Sequence, residues 1–363
     1  MDPYPYDSIS LNGKEVFIQD IITNRVPAGN EFESGIISFI RDWLSDKNDF
    51  VQQTSGSTGT PKPVTISRTH MVASARLTAE ALGLQRGDHA LVCLSPSFIA
   101  GKMMLVRSFV IGMKITATTP SSNPFAVLPL SQPIDFVALV PSQLYDILRS
   151  ASATVFEDIK TAIIGGAALD SESRGMLQPF RCGFYATYGM TETVSHIALM
   201  PLNGTSAANY FTTLPGIAVE ADERGCLVIK WSKLPGQVVT TNDVAEIMDA
   251  TRFRLVGRWD NIVNSGGYKI LPEELESRIA EILEPLNLNI TYFLGGIPDP
   301  KFDHKLVLII EQLLDDRTTT QIRDVLQKQL SGFQLPREIR TGITFVRTGS
   351  GKINRPETLR LIR

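Results

Sequence analysis

The segment Thr54 to Lys62, T-S-G-S-T-G-T-P-K, constrains this chain more than any other. Glycine lets backbone N–H groups crowd an anion, and the hydroxyls of Ser and Thr and the ammonium of Lys62 add further donors, an order that suits a polyphosphate. A Walker loop, G-x-x-x-x-G-K-[ST], is excluded, because counting on from Gly56 sets Pro61 where its second glycine must stand. A flexible Ser/Gly tether fits poorly as well, since Pro61-Lys62-Pro63 and the apolar Val64 and Ile66 follow at once.

The rest of the chain frames that loop. At 363 residues it exceeds one ordinary core, so two or three domains are expected. A hydrophobic content of 43% with 20% charged residues describes a soluble globular protein, and a net charge of −3 gives no footprint for nucleic acid or anionic lipid. Cys93, Cys182 and Cys226 are widely spaced and odd in number, which indicates neither a disulfide framework nor a zinc site and fits a reducing cytosol. The start, M-D-P-Y-P-Y-D, lacks the basic and apolar regions of a signal peptide, and Arg107 and Lys114 interrupt the apolar run Met103 to Ile115. A cytoplasmic protein without a membrane span is the expectation.

Short apolar runs alternate with helical patterns. Residues His89 to Leu94, Lys114 to Thr118, Asp135 to Val140, Thr161 to Ile164 and Gly183 to Thr187 read as strands, with a helix over His70 to Leu84, which implies an α/β layered body. After about residue 258 the pattern changes. Leu275, Ile279, Ile282, Leu283 and Leu286 recur at helical spacing behind Pro272, and Ile322, Val325, Leu326 and Leu330 do so behind Thr318 and Gln321, a capping-box pattern. Strands over Tyr292 to Leu294, Leu306 to Ile310 and Ile343 to Val346 complete a small α+β unit. The expected division is 1–258 and 259–363.

Five further segments follow in order: G-G-A-A-L (Gly165 to Leu169), Y-A-T-Y-G-M-T-E-T (Tyr185 to Thr193), T-N-D (Thr241 to Asp243), G-R-W-D-N-I-V-N-S-G-G-Y-K-I-L-P-E-E-L-E (Gly257 to Glu276) and G-S-G-K-I-N-R (Gly349 to Arg355). Together with the first, they resemble the adenylate-forming superfamily of acyl-CoA synthetases, luciferases and adenylation domains. The resemblance runs from about residue 50 to the C-terminus. It implies a large α/β domain, trimmed at its N-terminus, and a small mobile α+β C-terminal lid. It also implies a two-step reaction in which a carboxylate displaces pyrophosphate from ATP and a thiol then displaces AMP, with ATP, Mg²⁺ and CoA as the small molecules.

Carried over residue by residue, the resemblance assigns Thr54, Ser55, Gly56, Ser57, Thr58, Gly59 and Lys62 to the β- and γ-phosphates. Tyr188 and Gly189 on one side, and Gly166 and Ala167 on the other, would face adenine. Thr191 would meet the α-phosphate and Glu192 would help hold Mg²⁺. Asp243 would accept the ribose hydroxyls and Arg258 would contact the nucleotide. Asp260 would be the hinge, Gly266, Gly267 and Tyr268 would line the CoA channel, and Lys352 would bridge the acyl carboxylate and nucleotide as the catalytic lysine.

The chain departs from the pattern in places. Asn242 stands where a glycine precedes the acid, and tolerates a left-handed turn better than most side chains. Pro63 removes a backbone donor after the phosphate loop. Phe98 falls at the gate of the acyl pocket and reads equally as core. Gly101, Met190, Ser195 and His196 are further acyl-pocket candidates, His196 reading equally as a satisfied structural histidine. G-G-A-A-L and Y-G-M-T-E-T-V-S-H resemble the o-succinylbenzoate:CoA ligases, and that resemblance implies o-succinylbenzoate, ATP and CoA as substrates. The alternatives are another acyl- or aryl-CoA ligase, a carrier-loading adenylation enzyme, or a non-catalytic nucleotide- or acyl-binding paralogue. A shortened N-terminus leaves a face of the large domain to be covered, for which a homodimer is one means.

Overall fold

The computed structural model describes residues 4–53, 63–128, 133–233, 236, 238–348 and 352–362. The chain divides into two compact units. The first holds the described residues up to 218 together with 230–239, and the second holds 219–229 and the described residues from 240 onward.

The elements of the first unit are β1 (Ser8–Leu11), β2 (Lys14–Phe17), α1 (Ile18–Ile22), α2 (Glu31–Leu44), β3 (Asp49–Gln53), β4 (Pro63–Ser67), α3 (Arg68–Leu82), β5 (His89–Val92), α4 (Ile99–Ile111), β6 (Lys114–Ala117), β7 (Phe136–Leu139), α5 (Pro141–Leu148), β8 (Thr161–Ile164), α6 (Ser171–Met176), β9 (Gly183–Gly189), β10 (His196–Pro201) and β11 (Phe211–Thr213). Nine strands form a sheet in the order β11-β10-β9-β8-β7-β5-β6-β1-β2. The run β9-β8-β7-β5-β6-β1 is parallel, and the chain leaves β5 toward β6 on one side and β7 on the other. The central strands are buried on both faces, as their unbroken apolar sequences require. Phe156 packs edge-on against Phe125, Phe180 and Phe184 at the centre of this core. Helix α3 is capped by Ser67, whose side chain accepts from the His70 N–H, and ends at Gly83 in the left-handed conformation.

Strands β3 and β4 form a separate antiparallel pair in which Gln53 lies opposite Pro63. The expected phosphate-binding residues Thr54, Ser55, Gly56, Ser57, Thr58, Gly59 and Lys62 are the connection between those two ends, and they lie outside the described residues.

The second unit runs β12 (Ala218–Ala221), β13 (Cys226–Lys230), β14 (Val238–Asp249), β15 (Arg252–Arg258), β16 (Val263–Ser265), β17 (Tyr268–Ile270), α7 (Pro272–Leu283), β18 (Tyr292–Asp299), β19 (Asp303–Ile310), α8 (Asp316–Gln329), β20 (Glu338–Arg340) and α9 (Arg355–Leu361). Strands β12 to β15 lie side by side in that order, and a second sheet follows β17-β16-β19-β18 with β20 parallel to β19. The apolar stripes of α7 and α8, Leu275, Ile279, Ile282, Ile322 and Leu326 among them, bury against Leu294, Leu306, Leu308 and Ile310 of that sheet.

Three expectations are corrected here. Residues Ile343 to Val346 form no strand: Phe345 turns into a small core with Phe293 and Ile309, and the strand that joins the sheet is β20. Alternation marked burial without marking a ladder partner. The cap of α8 is Asp315, whose carboxylate accepts from the Thr318 N–H at 2.6 Å, so Thr318 and Gln321 lie inside the helix. Asn242 sits in extended β14 without a positive φ, so no left-handed turn precedes Asp243.

Candidate active site

Parallel strands end on one side of their sheet, and in open α/β sheets that side carries the ligand, at the point where strand order reverses. In the first unit the residues following β5 and β8 and the end of β9 all lie there. Phe98, after β5, begins α4 and is 43% exposed, which removes its core alternative. Gly101 in the first turn of α4 has a packing reason: a Cβ would stand 2.4 Å from the carbonyl oxygens of Leu94 and Ser95. After β8, a Cβ on Gly165 would stand 2.6 Å from Thr187 Oγ1, and Gly166 holds φ +100°, so the 165–167 loop is drawn against β9 by glycine alone. Tyr188, near the end of β9, is buried and tilted against Phe211 at 5.9 Å between centroids.

The chain then reverses sharply. Gly189 has no room for a side chain, since a Cβ would lie 2.2 Å from the Ser195 carbonyl oxygen. Met190 precedes a 3-10 turn, Thr191–Thr193, in which Thr191 is buried and Glu192 exposed. Val194 carries φ 70° and ψ −47°, a costly backbone state for a β-branched residue. It is held by its own N–H to the Thr191 carbonyl at 2.9 Å, while Thr193 Oγ1 donates to the Ser195 carbonyl at 2.8 Å. The strained turn delivers Ser195 and His196 side by side, with His196 paired in register to Gly189 at the end of β9.

Both face Arg107, a residue whose role the sequence did not disclose beyond its breaking an apolar run. Arg107 lies within α4 at 2% exposure. One Nη2 hydrogen bond goes to Ser195 Oγ at 2.6 Å and a longer contact to His196 Nδ1 at 3.4 Å, while Nε has no partner. Among the described residues no carboxylate pairs with it. Burial pushes its pKa down to about 9, which still leaves the guanidinium charged at neutral pH. Burial, reinforced by Arg107, holds His196 well below the usual imidazole value, so the ring is neutral. A legible signal was present: I-A-G-K-M-M-L-V-R-S-F-V-I is apolar on nearly every side of Arg107, and leaves that arginine no polar face to occupy.

The second unit gathers another charged group. Asp243 and Arg258 are cross-strand partners, and Arg258 Nη1 donates to Asp243 Oδ1 at 3.0 Å while Nη2 donates to Asp260 Oδ2 at 2.7 Å. Burial pulls Arg258 down, but hydrogen bonding to Asp260 and the two carboxylate charges leave it net raised. Asn242 Nδ2 also donates to Asp260, at 3.0 Å. Lys352 belongs to the same neighbourhood: its residue is exposed, yet crowding of the ammonium lowers its pKa, Asp243 opposing and Arg258 assisting that shift. Its backbone is tied to Thr348 in both directions, the Thr348 N–H reaching the Lys352 carbonyl at 2.8 Å. Gly266 and Gly267, at φ 59° and 84°, turn β16 into β17, and Tyr268 stacks on Phe333 at 4.1 Å while 54% exposed. Among the described residues no group of three or more His, Cys, Asp or Glu side chains is arranged to hold a metal. No helix among the described residues is long and apolar enough to cross a membrane.

The sequence profile of the AMP-binding enzymes matches residues 41–240. The fold matches the acyl-CoA synthetase (AMP-forming)/AMP-acid ligase II-like protein from Dyadobacter fermentans with a TM-score of 0.62 and 38% identity, covering 94% of this chain and 97% of that one. The 2-succinylbenzoate--CoA ligase of Listeria monocytogenes is 25% identical over 94% of this chain and 77% of its own length. O-succinylbenzoate coenzyme A synthetase (MenE) from Bacillus subtilis, in complex with ATP and magnesium ion, shares the fold at TM-score 0.70 and 18% identity, covering 85% of this chain and 69% of that one. The chain belongs to the AMP-binding enzyme family. Its class is that of the AMP-forming acid:CoA ligases, built on the adenylate-forming fold.

Proposed function

We propose that this enzyme activates a dicarboxylic aromatic acid, o-succinylbenzoate, as its adenylate and passes the acyl group to CoA. The observation that carries the choice of acid is Arg107. A buried guanidinium without a carboxylate is costly in the free protein, and the cost is met by a bound anion. One carboxylate of the acid reacts, and the second would rest on Arg107 beside Ser195 and His196, at the end of the strand pair whose other strand carries Tyr188. Relatives named as 2-succinylbenzoate ligases support the same acid.

In the first step a carboxylate oxygen attacks the α-phosphorus of ATP, and the bond to pyrophosphate breaks. Lys352 would neutralise charge between acyl carboxylate and α-phosphate as that bond forms, Asp243 would fix the ribose, and Glu192 would help hold Mg²⁺, which offsets charge on the leaving pyrophosphate. In the second step the CoA sulfur attacks the acyl carbon and AMP leaves. Asp260 would serve as the hinge that exchanges Lys352 for the Gly266-Gly267-Tyr268 segment between steps.

A panel of acids tested for pyrophosphate release, with the thioester identified by mass, decides the reading. Turnover of o-succinylbenzoate well above benzoate and short fatty acids is expected. Preference for an acid with a single carboxylate would overturn the substrate, and absence of pyrophosphate exchange with every acid would overturn the reaction.

A further inference from the structure

Arg107 is aimed by a chain of hydrogen bonds that begins on a different helix and ends at a residue no motif includes. Thr78, in α3, is fully buried, and its Oγ1 donates to the Ser74 carbonyl at 3.0 Å. A hydroxyl has one proton, and Thr78 has spent it on that carbonyl. Its oxygen can therefore only accept from the ring nitrogen it touches, His196 Nε2 at 3.1 Å. That places the proton of the neutral imidazole on Nε2 and leaves a lone pair on Nδ1, facing the Arg107 Nη2 at 3.4 Å. With the opposite tautomer, two N–H groups would point at each other across that gap, and the guanidinium would turn away.

We infer that Thr78 is a positioning residue for the acid: it fixes the His196 tautomer, and through it the direction in which Arg107 presents its guanidinium. The inference rests on the reading that Arg107 receives the second carboxylate. Its first half, the tautomer, stands apart from that reading. Among the described residues, the hydrogen-bonding side chains at the His196 ring are Thr78 from α3 and Arg107 from α4, and Arg107 is the charged one. Ser195 Oγ, the other acceptor for Arg107 Nη2, is preset by the strained Val194 turn, so the cation is aimed by one hydroxyl from the backbone turn and one imidazole under control of α3.

The experiment uses the whole enzyme. With four histidines in the chain, ¹⁵N-histidine labelling gives four ring systems, and the spectrum of His196→Gln identifies the one of interest. The wild type is expected to show a neutral ring protonated at Nε2, and Thr78→Val to lose that single state, while Thr78→Ser keeps it. In steady-state kinetics Thr78→Val should raise KM for the acid by roughly 3- to 10-fold, the effect of losing about one hydrogen bond, with kcat and KM for ATP little changed. Thr78→Ser should restore KM. A wild-type ring protonated at Nδ1 would overturn the inference without any variant having to fold. So would a Thr78→Val enzyme with an altered tautomer and unchanged acid KM, or one whose kcat and both KM values worsen together, the mark of a general structural role. If the tautomer is as inferred but no dicarboxylic acid is used, the substrate reading has failed and the hydrogen-bond order has not.

Discussion

Two cations stand out in this molecule, one in each unit, and they are kept in opposite ways. Arg107 is buried in the first unit, with a serine hydroxyl and a neutral imidazole for company and no carboxylate among the described residues. Lys352 sits at the surface of the second unit, within reach of the charges of Asp243 and Arg258, just beyond the glycines of G-S-G-K. A permanently desolvated cation is suited to hold a charge that is present throughout the reaction. A surface lysine whose ammonium is partly desolvated by its surroundings is suited to charge that appears in one step only. In the proposed reading the first would govern which acid binds, and the second how fast it is activated.

The largest expected effect follows from the second of these roles. Lys352→Ala should slow adenylation by on the order of 10²–10³, the usual loss when one charge-stabilising donor is deleted from a transition state, while thioester formation from supplied acyl-adenylate is largely spared. Pyrophosphate exchange and CoA consumption with synthetic adenylate measure the two steps separately. Equal loss in both would place Lys352 in the acid or CoA site and erase the contrast with Arg107.

Replacing Arg107 should act on KM instead. Arg107→Met removes the charge and keeps much of the volume, so the fold should survive, since an apolar substitute for a buried ion is commonly tolerated. The acid KM should rise by about 10- to 100-fold, corresponding to the about 1.5–3 kcal/mol of a hydrogen bond to a charged group, with ATP binding unchanged. Isothermal titration with ATP and initial rates at varied acid separate the two.

The pH response sharpens the comparison further. In the proposed mechanism Lys352 would act protonated, and its pKa is lowered, so adenylation should fall on the alkaline side at a pH below the ordinary lysine value, and that limb should vanish in Lys352→Ala. His196 responds on the acid side. Its folded pKa lies below that of the unfolded chain, so its contribution is complete above about pH 6.5 and is lost as pH falls below that value, at up to about 1.4 kcal/mol per pH unit. Thermal melts of wild type and His196→Gln between pH 7 and 5 should diverge in slope, the wild type losing stability faster.

How much of this was legible in the sequence depends on whether the cause was local. The strands Thr161–Ile164 and Gly183–Gly189 and helix α7 announce themselves by composition, periodicity and Pro272, all of which act over a few residues. Asp315 outcompeted Thr318 as a cap because a helix start is chosen among several adequate side chains by where the chain enters. The apolar alternation at Ile343 and Phe345 reported burial, yet a strand also needs a neighbour with a free edge, which β20 supplied instead. In the candidate site, Asp243, Arg258 and Lys352 lie in one charged neighbourhood, and no motif showed that Arg258 links Asp243 to Asp260. Arg107, Thr78 and His196 are separated by up to 118 residues and meet only through packing of α3 and α4 against the start of β10. No spacing rule reaches that far.

The most direct test of the division between the two cations is a double cycle on acid and enzyme together. Wild type and Arg107→Met are each assayed by pyrophosphate exchange with o-succinylbenzoate and with an analogue in which the aliphatic carboxylate is replaced by its neutral amide. If Arg107 binds that second carboxylate, removing either partner should cost about 10- to 100-fold in kcat/KM, and removing both should cost little more than removing one. Fully multiplicative losses, or an amide analogue that the wild type uses as well as the diacid, would contradict the assignment of Arg107 and with it the choice of acid.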